Sequence, residues 1–310
     1  MDTSKQGEFL ALQTELCVAC GSRDLNFIGS APIINPNLDE NFDIKSCSIC
    51  SHWMTFPTPS RDLLASLYSQ SSLSVLGEGW AHNYSSGDQT ESLAGDENWI
   101  VKRLKSSTAG NFLEIGPGDG SLIRKFRELG WNAYGVDPGQ YLSDERIVAS
   151  ADALPTGIKF DVIVLQDILE HTSNPWEELG LYRNNVSSNA QVFMTFPWSE
   201  SDEAVKIGSA WAMVRPIGHL HYFSKKSASS LMASIGAEIK SIEVINLMPS
   251  KKARIKNLIW LSATFPLQFL RRKVRKNPYR QRLSLLFQSW VSLWSDGDQL
   301  YVEGKVSQEK

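Results

Sequence analysis

Three groups of residues in this 310-residue chain combine types and spacings that could do chemistry. The first holds all four cysteines, as two C-x2-C pairs, Cys17/Cys20 and Cys47/Cys50, with 26 residues between the pairs. Each short turn brings two thiolates to one ion, and two turns complete the tetrahedral four-thiolate set of a structural zinc site. Such a site is closed, so the metal would act as a staple and not as a reaction centre. Two disulfides or a redox dithiol are the alternatives. The former need an oxidising compartment, and the latter has no use for a second copy. His52, close to Cys50, reads as a bystander.

The second group is Asp167, Glu170 and His171, at i, i+3 and i+4. If a helix begins there, all three share one face. His219, His221 and Tyr222 lie in a separate string, G-H-L-H-Y-F-S (218–224), that could close over the same spot. Three readings stay open. His171 or His221 is a general base for a hydroxyl proton. Alternatively, the acids and histidines hold a second divalent ion, whose mixed O/N donors suit Mg2+ or Mn2+ weakly, or Zn2+. In the third, Glu170 caps a helix and His171 packs on a sheet. Tyr84 and Tyr222 could orient a substrate, and Trp198 and Trp211 offer flat faces or fill the core.

The third group is the run F-L-E-I-G-P-G-D-G-S, a strand, a glycine turn and the start of a helix. Gly116, Gly118 and Gly120 allow a tight turn and close approach to a ligand, and the helix N-terminus offers free N–H groups. Ser121 stands where a dinucleotide fingerprint needs its third glycine, which argues against NAD or FAD. Glu114, at the strand's end, would repel a pyrophosphate and suits a cationic ammonium. Asp137, in Y-G-V-D-P-G and 21 residues after Gly116, is spaced to accept from two ribose hydroxyls.

The elements that must position these groups follow from hydrophobic periodicity. Strands are expected at Asn111–Ile115, Ala133–Val136, Phe160–Leu165, Gln191–Phe196, Ile239–Ile245 and Leu300–Val306, and helices at Asp119–Leu129, Pro175–Tyr182 and Ser224–Ile235. The alternation predicts an α/β chain with a Rossmann-like, doubly wound sheet. The expected units are a small zinc ribbon at 12–58, a helix (Arg61–Gln70) and linker or lid at 59–95, and the catalytic domain at 96–246. A helical insertion at 247–295 precedes the last strand and tail at 296–310.

Composition bounds the function. With 42% hydrophobic and 21% charged residues, the chain can build a real core, and wholesale disorder is excluded. The net charge of −3 conceals an asymmetry. Residues 244–295 hold eleven Lys and Arg and no Asp or Glu, so the remaining 20 basic residues face all 34 acidic ones, a net −14. Two basic, apolar helices would suit an anionic membrane surface or a phosphate-linked ligand. No recognition motif points to nucleic acid. The sequence MDTSKQGEFL lacks the pattern of a secretion signal, so the expected location is cytoplasmic, with peripheral contact at the inner membrane surface.

Four motifs resemble those of class I S-adenosylmethionine (SAM)-dependent methyltransferases: E-I-G-P-G-D-G (114–120), G-V-D-P (135–138), A-D-A-L-P (151–155) and F-D-V-I-V-L-Q-D-I-L-E-H (160–171). The resemblance implies a seven-stranded sheet. It also implies Glu114, Gly116, Pro117, Gly118 and Gly120 for the methionine part of SAM, and Asp137 with Pro138 for the ribose. Asp152 and Ala153 would take the adenine, with Gln166 at the cofactor's edge. The four-cysteine segment and G-H-L-H-Y-F-S are similar to methyltransferases of deoxysugar and surface-polysaccharide biosynthesis. That similarity implies a sugar hydroxyl or carbon as acceptor, free or on a lipid- or nucleotide-linked glycan. The chain lacks the further C-terminal domain of the longer sugar C-methyltransferases, so O-methylation is at least as well supported. D-x-x-E-H with a later His is also similar to E-x-x-E-H in quinone-type and small-RNA O-methyltransferases. The remaining rival is a non-catalytic SAM-fold module that recruits partners.

Overall fold

The computed structural model describes residues 15–32, 41–59, 64, 98–139, 142–216, 218–245 and 297–307. The expected helix at 61–70, the linker or lid with Tyr84, and the basic insertion lie outside these, apart from single or terminal residues.

In chain order the strands are β1 (Leu25–Pro32), β2 (Asn41–Cys47), β3 (Trp53–Phe56), β4 (Asn111–Ile115), β5 (Asn132–Val136), β6 (Ile147–Val148), β7 (Phe160–Gln166), β8 (Val186–Pro197), β9 (His221–Tyr222), β10 (Ala237–Ile245) and β11 (Gln299–Val306). The helices are α1 (Trp99–Leu104), α2 (Ser121–Glu128), α3 (Pro175–Gly180), α4 (Asp202–Ile207) and α5 (Lys225–Ser234). The main sheet has seven strands in the order β10-β11-β8-β7-β4-β5-β6. β8, β7, β4, β5 and β6 pair in parallel, and β11 runs antiparallel to both its neighbours. This is the expected α/β Rossmann-like doubly wound sheet.

Near-continuous apolar runs make it so. Successive residues of β4, β7 and β8 point alternately into two cores, one on each face. Phe112, Val162, Val164 and Phe193 enter one, with Phe126 and Trp131. Leu113, Ile163, Leu165 and Met194 enter the other, with Leu231 and Met232 of α5. Phe112 stacks on Phe126 with centroids 4.2 Å apart. α2 starts two residues later than expected because Gly118 and Gly120 are left-handed (φ 55° and 70°), so the chain enters the helix only at Ser121.

β1, β2 and β3 form an antiparallel sheet over the cysteine turns. Its fourth strand, β9, comes from the G-H-L-H-Y-F-S string: Trp53 pairs with Tyr222, and Met54 with His221. The N-terminal sheet is therefore completed by a strand about 165 residues further along the chain. The ribbon reading did not include that strand.

Candidate active site

The order of strands reverses between β4 and β7, and their carboxyl ends border the crevice where such sheets take ligands. Glu114 sits there, only 4% exposed. Its Oε2 has no hydrogen-bond partner among the described residues. Burial and the nearby Asp119 charge push its pKa up to about 8, against a hydrogen bond from Gln166. Asp119 also leaves one buried oxygen, Oδ2, without a partner among the described residues. Leaving buried carboxyl oxygens unsatisfied costs free energy, so they mark places where a ligand's donors are expected.

The turn after Glu114 is held against the next strand by the Gly116 N–H, which donates to the Val136 carbonyl at 2.9 Å. Gly116 is left-handed (φ 67°), and a Cβ there would lie 2.1 Å from Ile168 Cδ1. Pro117 is buried beside it, under Gly135. Asp137 follows β5 directly, 8% exposed, with Oδ1 accepting from the Gly139 N–H at 2.8 Å. Burial raises its pKa, and that N–H lowers it. Pro138 is exposed, as are Asp152 and Ala153 on a 3-10 turn just past β6. Glu114, the glycines, Asp137 and Gln166 thus gather at one edge of the sheet. Their chemistry fits SAM, with an unsatisfied carboxylate for an ammonium, an acid for a ribose and a turn free of side chains.

The second group is divided by the structure. No helix begins at Asp167; a 3-10 turn spans Leu169–His171 instead. Asp167 is itself left-handed (φ 52°), and its Oδ1 accepts from Thr195 Oγ1 at 3.0 Å and Gln299 Nε2 at 3.3 Å, toward β8 and β11. Glu170, His171 and His219 do converge, with one donor atom from each inside a 4.8 Å cluster. His171 Nδ1 donates to the Gly218 carbonyl and His219 Nδ1 to the Met213 carbonyl. Burial depresses both imidazoles, His171 to about 4, and raises Glu170, whose Oε2 has no partner among the described residues.

His221 does not join them. It lies in a buried row with His52, and burial lowers its pKa to about 4. Tyr222 is not a substrate-orienting group either. It is fully buried, its hydroxyl donates to the His219 carbonyl at 2.9 Å, and it packs with Trp53 and Trp211. Trp211 is core for the same reason. Trp198 remains partly accessible, with Lys225 over its ring at 5.2 Å.

The cysteines come together. Cys17 Sγ lies 3.5 Å from Cys50 Sγ, and Cys20 Sγ 3.5 Å from Cys47 Sγ, with all four sulfurs inside a 4.8 Å cluster. These are free thiols, too far apart for disulfides. Sulfurs at about 2.3 Å from one zinc ion stand roughly 3.8 Å from each other, so the donor set fits that metal. A hydrogen bond from Cys17 and the backbone N–H of His52 pull the Cys50 thiol down to about 5, and the same Cys17–Cys50 bond raises Cys17. Gly21 and Ser51, each following a C-x2-C pair, are both left-handed (φ 72° and 59°).

His52 is no bystander. It is wholly buried, with Nδ1 3.2 Å from Ser227 Oγ and Nε2 3.2 Å from His221 Nδ1. The only signal in the sequence was its place between a cysteine pair and the apolar strand W-M-T-F.

Residues 97–242 match the family model described as a methyltransferase domain. The matched segment carries the glycine turn, Glu114 and Asp137, and is similar to a methyltransferase domain. Solved structures similar to the chain include phosphoethanolamine N-methyltransferase 2 of Haemonchus contortus, in complex with phosphomonomethylethanolamine and S-adenosylhomocysteine (17% identity, 68% of this chain and 53% of that one, TM-score 0.41). Another is magnesium protoporphyrin IX methyltransferase of Synechocystis PCC 6803 with bound S-adenosylhomocysteine (12% identity, 80% and 100%, TM-score 0.45). A third is a SAM-dependent methyltransferase from Archaeoglobus fulgidus (13% identity, 66% and 89%, TM-score 0.43). The chain spans little more than half the length of the Haemonchus protein. No curated protein matches it.

Proposed function

We propose that the chain transfers a methyl group from SAM to a hydroxyl or carbon of a sugar in glycan or secondary-metabolite biosynthesis. The cofactor half rests on one observation above all, the buried and half-satisfied carboxyl of Glu114 at the end of β4. It is the donor-seeking group that an amino-acid ammonium needs. Asp137 would accept from the ribose hydroxyls, with Asp152 and Ala153 bordering the adenine and Gln166 steadying Glu114. Bound SAM supplies a methyl group already activated by its sulfonium. The protein's own task is then mainly orientation and the handling of one proton.

His171 is the base this reading favours. Its ring is neutral at physiological pH and is oriented by the Gly218 carbonyl. It stands on the turn that follows β7, the strand bordering the crevice. Glu170 and His219 flank it. A specific observation also favours a second reading, a divalent ion on Glu170, His171 and His219, whose donor atoms cluster. This set replaces the Asp167–Glu170–His171–His221 set expected from the sequence.

The sugar acceptor rests on the resemblance of the cysteine segment and G-H-L-H-Y-F-S. Among the described residues, no helix is long and apolar enough to cross a membrane. We place the chain in the cytoplasm, with 247–295 facing anionic lipid or a phosphate-linked glycan and the four cysteines holding a structural zinc ion. Incubation with methyl-labelled SAM and a panel of nucleotide-linked sugars tests the function. Labelled sugar is expected. Label only on quinone or RNA acceptors would replace the acceptor class, and binding without transfer to any of them would favour the recruitment module. Turnover abolished by EDTA, at levels that leave the cysteine-bound metal in place, would establish the second ion; unchanged turnover would dismiss it.

A further inference from the structure

The second cysteine turn is tied to the methyltransferase domain residue by residue. The carbonyls of Ile49, Cys50 and Ser51 accept from Lys226 Nζ (2.9 Å), Ser224 Oγ (2.5 Å) and Ser199 Oγ (2.7 Å). One strand further on, the Thr55 N–H donates to the Leu220 carbonyl at 2.9 Å and the Thr55 hydroxyl to the His219 carbonyl at 3.2 Å. β3 and β9 pair between these contacts. At the centre is the row Ser227–His52–His221–Ser173, buried against Trp176 and Phe223.

The Ser173 carbonyl fixes the row's direction, because it can only accept. His221 Nε2 therefore donates to it (3.4 Å), His221 Nδ1 accepts, and His52 Nε2 carries the proton between the rings. Residue 219, two positions before His221, is a member of the Glu170–His171–His219 cluster, and the Leu220 N–H donates to the Glu170 carbonyl at 2.6 Å. One short segment thus joins the cysteine turn to the titratable cluster.

We propose that the metal-bound cysteine turn, acting through His52, positions the segment His219–Phe223 and so forms the acceptor-side wall of the active site. The assignment of that side rests on the methyltransferase reading above; the coupling itself does not. His52 is a positioning residue: it touches no reacting atom and holds the place of His221, whose tautomer the Ser173 carbonyl sets. The ribbon is then a working part of the site. Metal loss would loosen the acceptor side while leaving cofactor binding at Glu114 and Asp137 intact.

The test uses the full chain and three readouts: metal content, S-adenosylhomocysteine affinity by calorimetry, and hydrogen exchange with imidazole 15N shifts. On removing the metal with a chelator, exchange at His221 and Tyr222 is expected to rise at least tenfold, with S-adenosylhomocysteine affinity changed less than threefold. His52→Ala is expected to keep its metal, raise exchange at the same amides and shift the His221 Nδ1 resonance. His52→Gln retains an N–H near the Nε2 position and should restore the shift. Lys226→Ala, at the surface, supplies a milder cut should His52→Ala fold poorly, with a smaller rise at the same amides. Unchanged exchange at β9 after metal loss, or no rescue by glutamine, would overturn the proposal. So would a matching loss of S-adenosylhomocysteine affinity. Failure of the wild type to bind S-adenosylhomocysteine would instead refute the methyltransferase reading and leave the coupling standing.

Discussion

Replacing Glu114 with glutamine should strengthen the fold while it weakens cofactor binding. Burial and the Asp119 charge raise this carboxyl from its ordinary 4.5 to about 8. An acid whose folded pKa lies above its unfolded one holds an extra proton when folded. Its stabilising contribution is complete below about pH 4.5 and is lost as pH rises toward 8. At about 1.4 kcal/mol per tenfold change in proton affinity, the full loss is ~5 kcal/mol, of which ~3 kcal/mol is already gone at pH 7. Glutamine does not titrate. The stability of Glu114→Gln relative to wild type should therefore climb by roughly 1.4 kcal/mol per pH unit between pH 5 and 8 and then level off. Any cost of the amide's own unmet hydrogen bonds only offsets that line, so the slope is the readout. Urea denaturation of both proteins at four pH values measures it. On the cofactor site proposed above, the same substitution would remove the charged partner of the ammonium, worth about 1.5–3 kcal/mol, so S-adenosylhomocysteine affinity should fall roughly 10- to 100-fold. Parallel slopes for the two proteins would refute the burial reasoning, and undiminished affinity would refute the assignment of Glu114.

Three further outcomes are expected. Asp137→Ala should weaken S-adenosylhomocysteine at least tenfold by calorimetry while leaving denaturant stability within about 1 kcal/mol, since the residue ends a strand and fills no core position. Ser51→Gly should raise the stability of the metal-loaded protein by about 0.5–1 kcal/mol, because residue 51 is left-handed at φ 59° and serine is strained there; a loss of stability would show that the serine side chain outweighs the strain. Phe112→Ala, which empties the stack on Phe126 in a fully buried layer, should cost about 3–5 kcal/mol by urea denaturation.

What the sequence revealed depended on how local each signal was. β4, β7 and the glycine turn are contiguous strings whose apolar runs and left-handed positions read directly, and Glu114, Gly116 and Asp137 lie within them. The two-residue strands β6 and β9 carry no periodicity and exist because of the partners they pair with. Asp167, Glu170 and His171 share a helical spacing, yet the left-handed backbone at Asp167 sends its carboxylate toward Thr195 and Gln299 and leaves only a 3-10 turn for the other two. His219 and His221, two residues apart, would share one face of a strand. Yet only His221 lies in β9; His219 precedes it and turns to the Met213 carbonyl, so the two serve different clusters. His52 gains its partners from segments about 170 residues away, and no local pattern announces such a pairing.

Calorimetry of the wild-type protein with S-adenosylhomocysteine at pH 8 tests the central claim most directly. One site per chain is expected, with micromolar or tighter affinity and protons released as the Glu114 carboxyl ionises, seen as heats that vary with the buffer's ionisation enthalpy. The absence of binding, or binding with no proton release, would contradict the cofactor site described at the ends of β4 and β5.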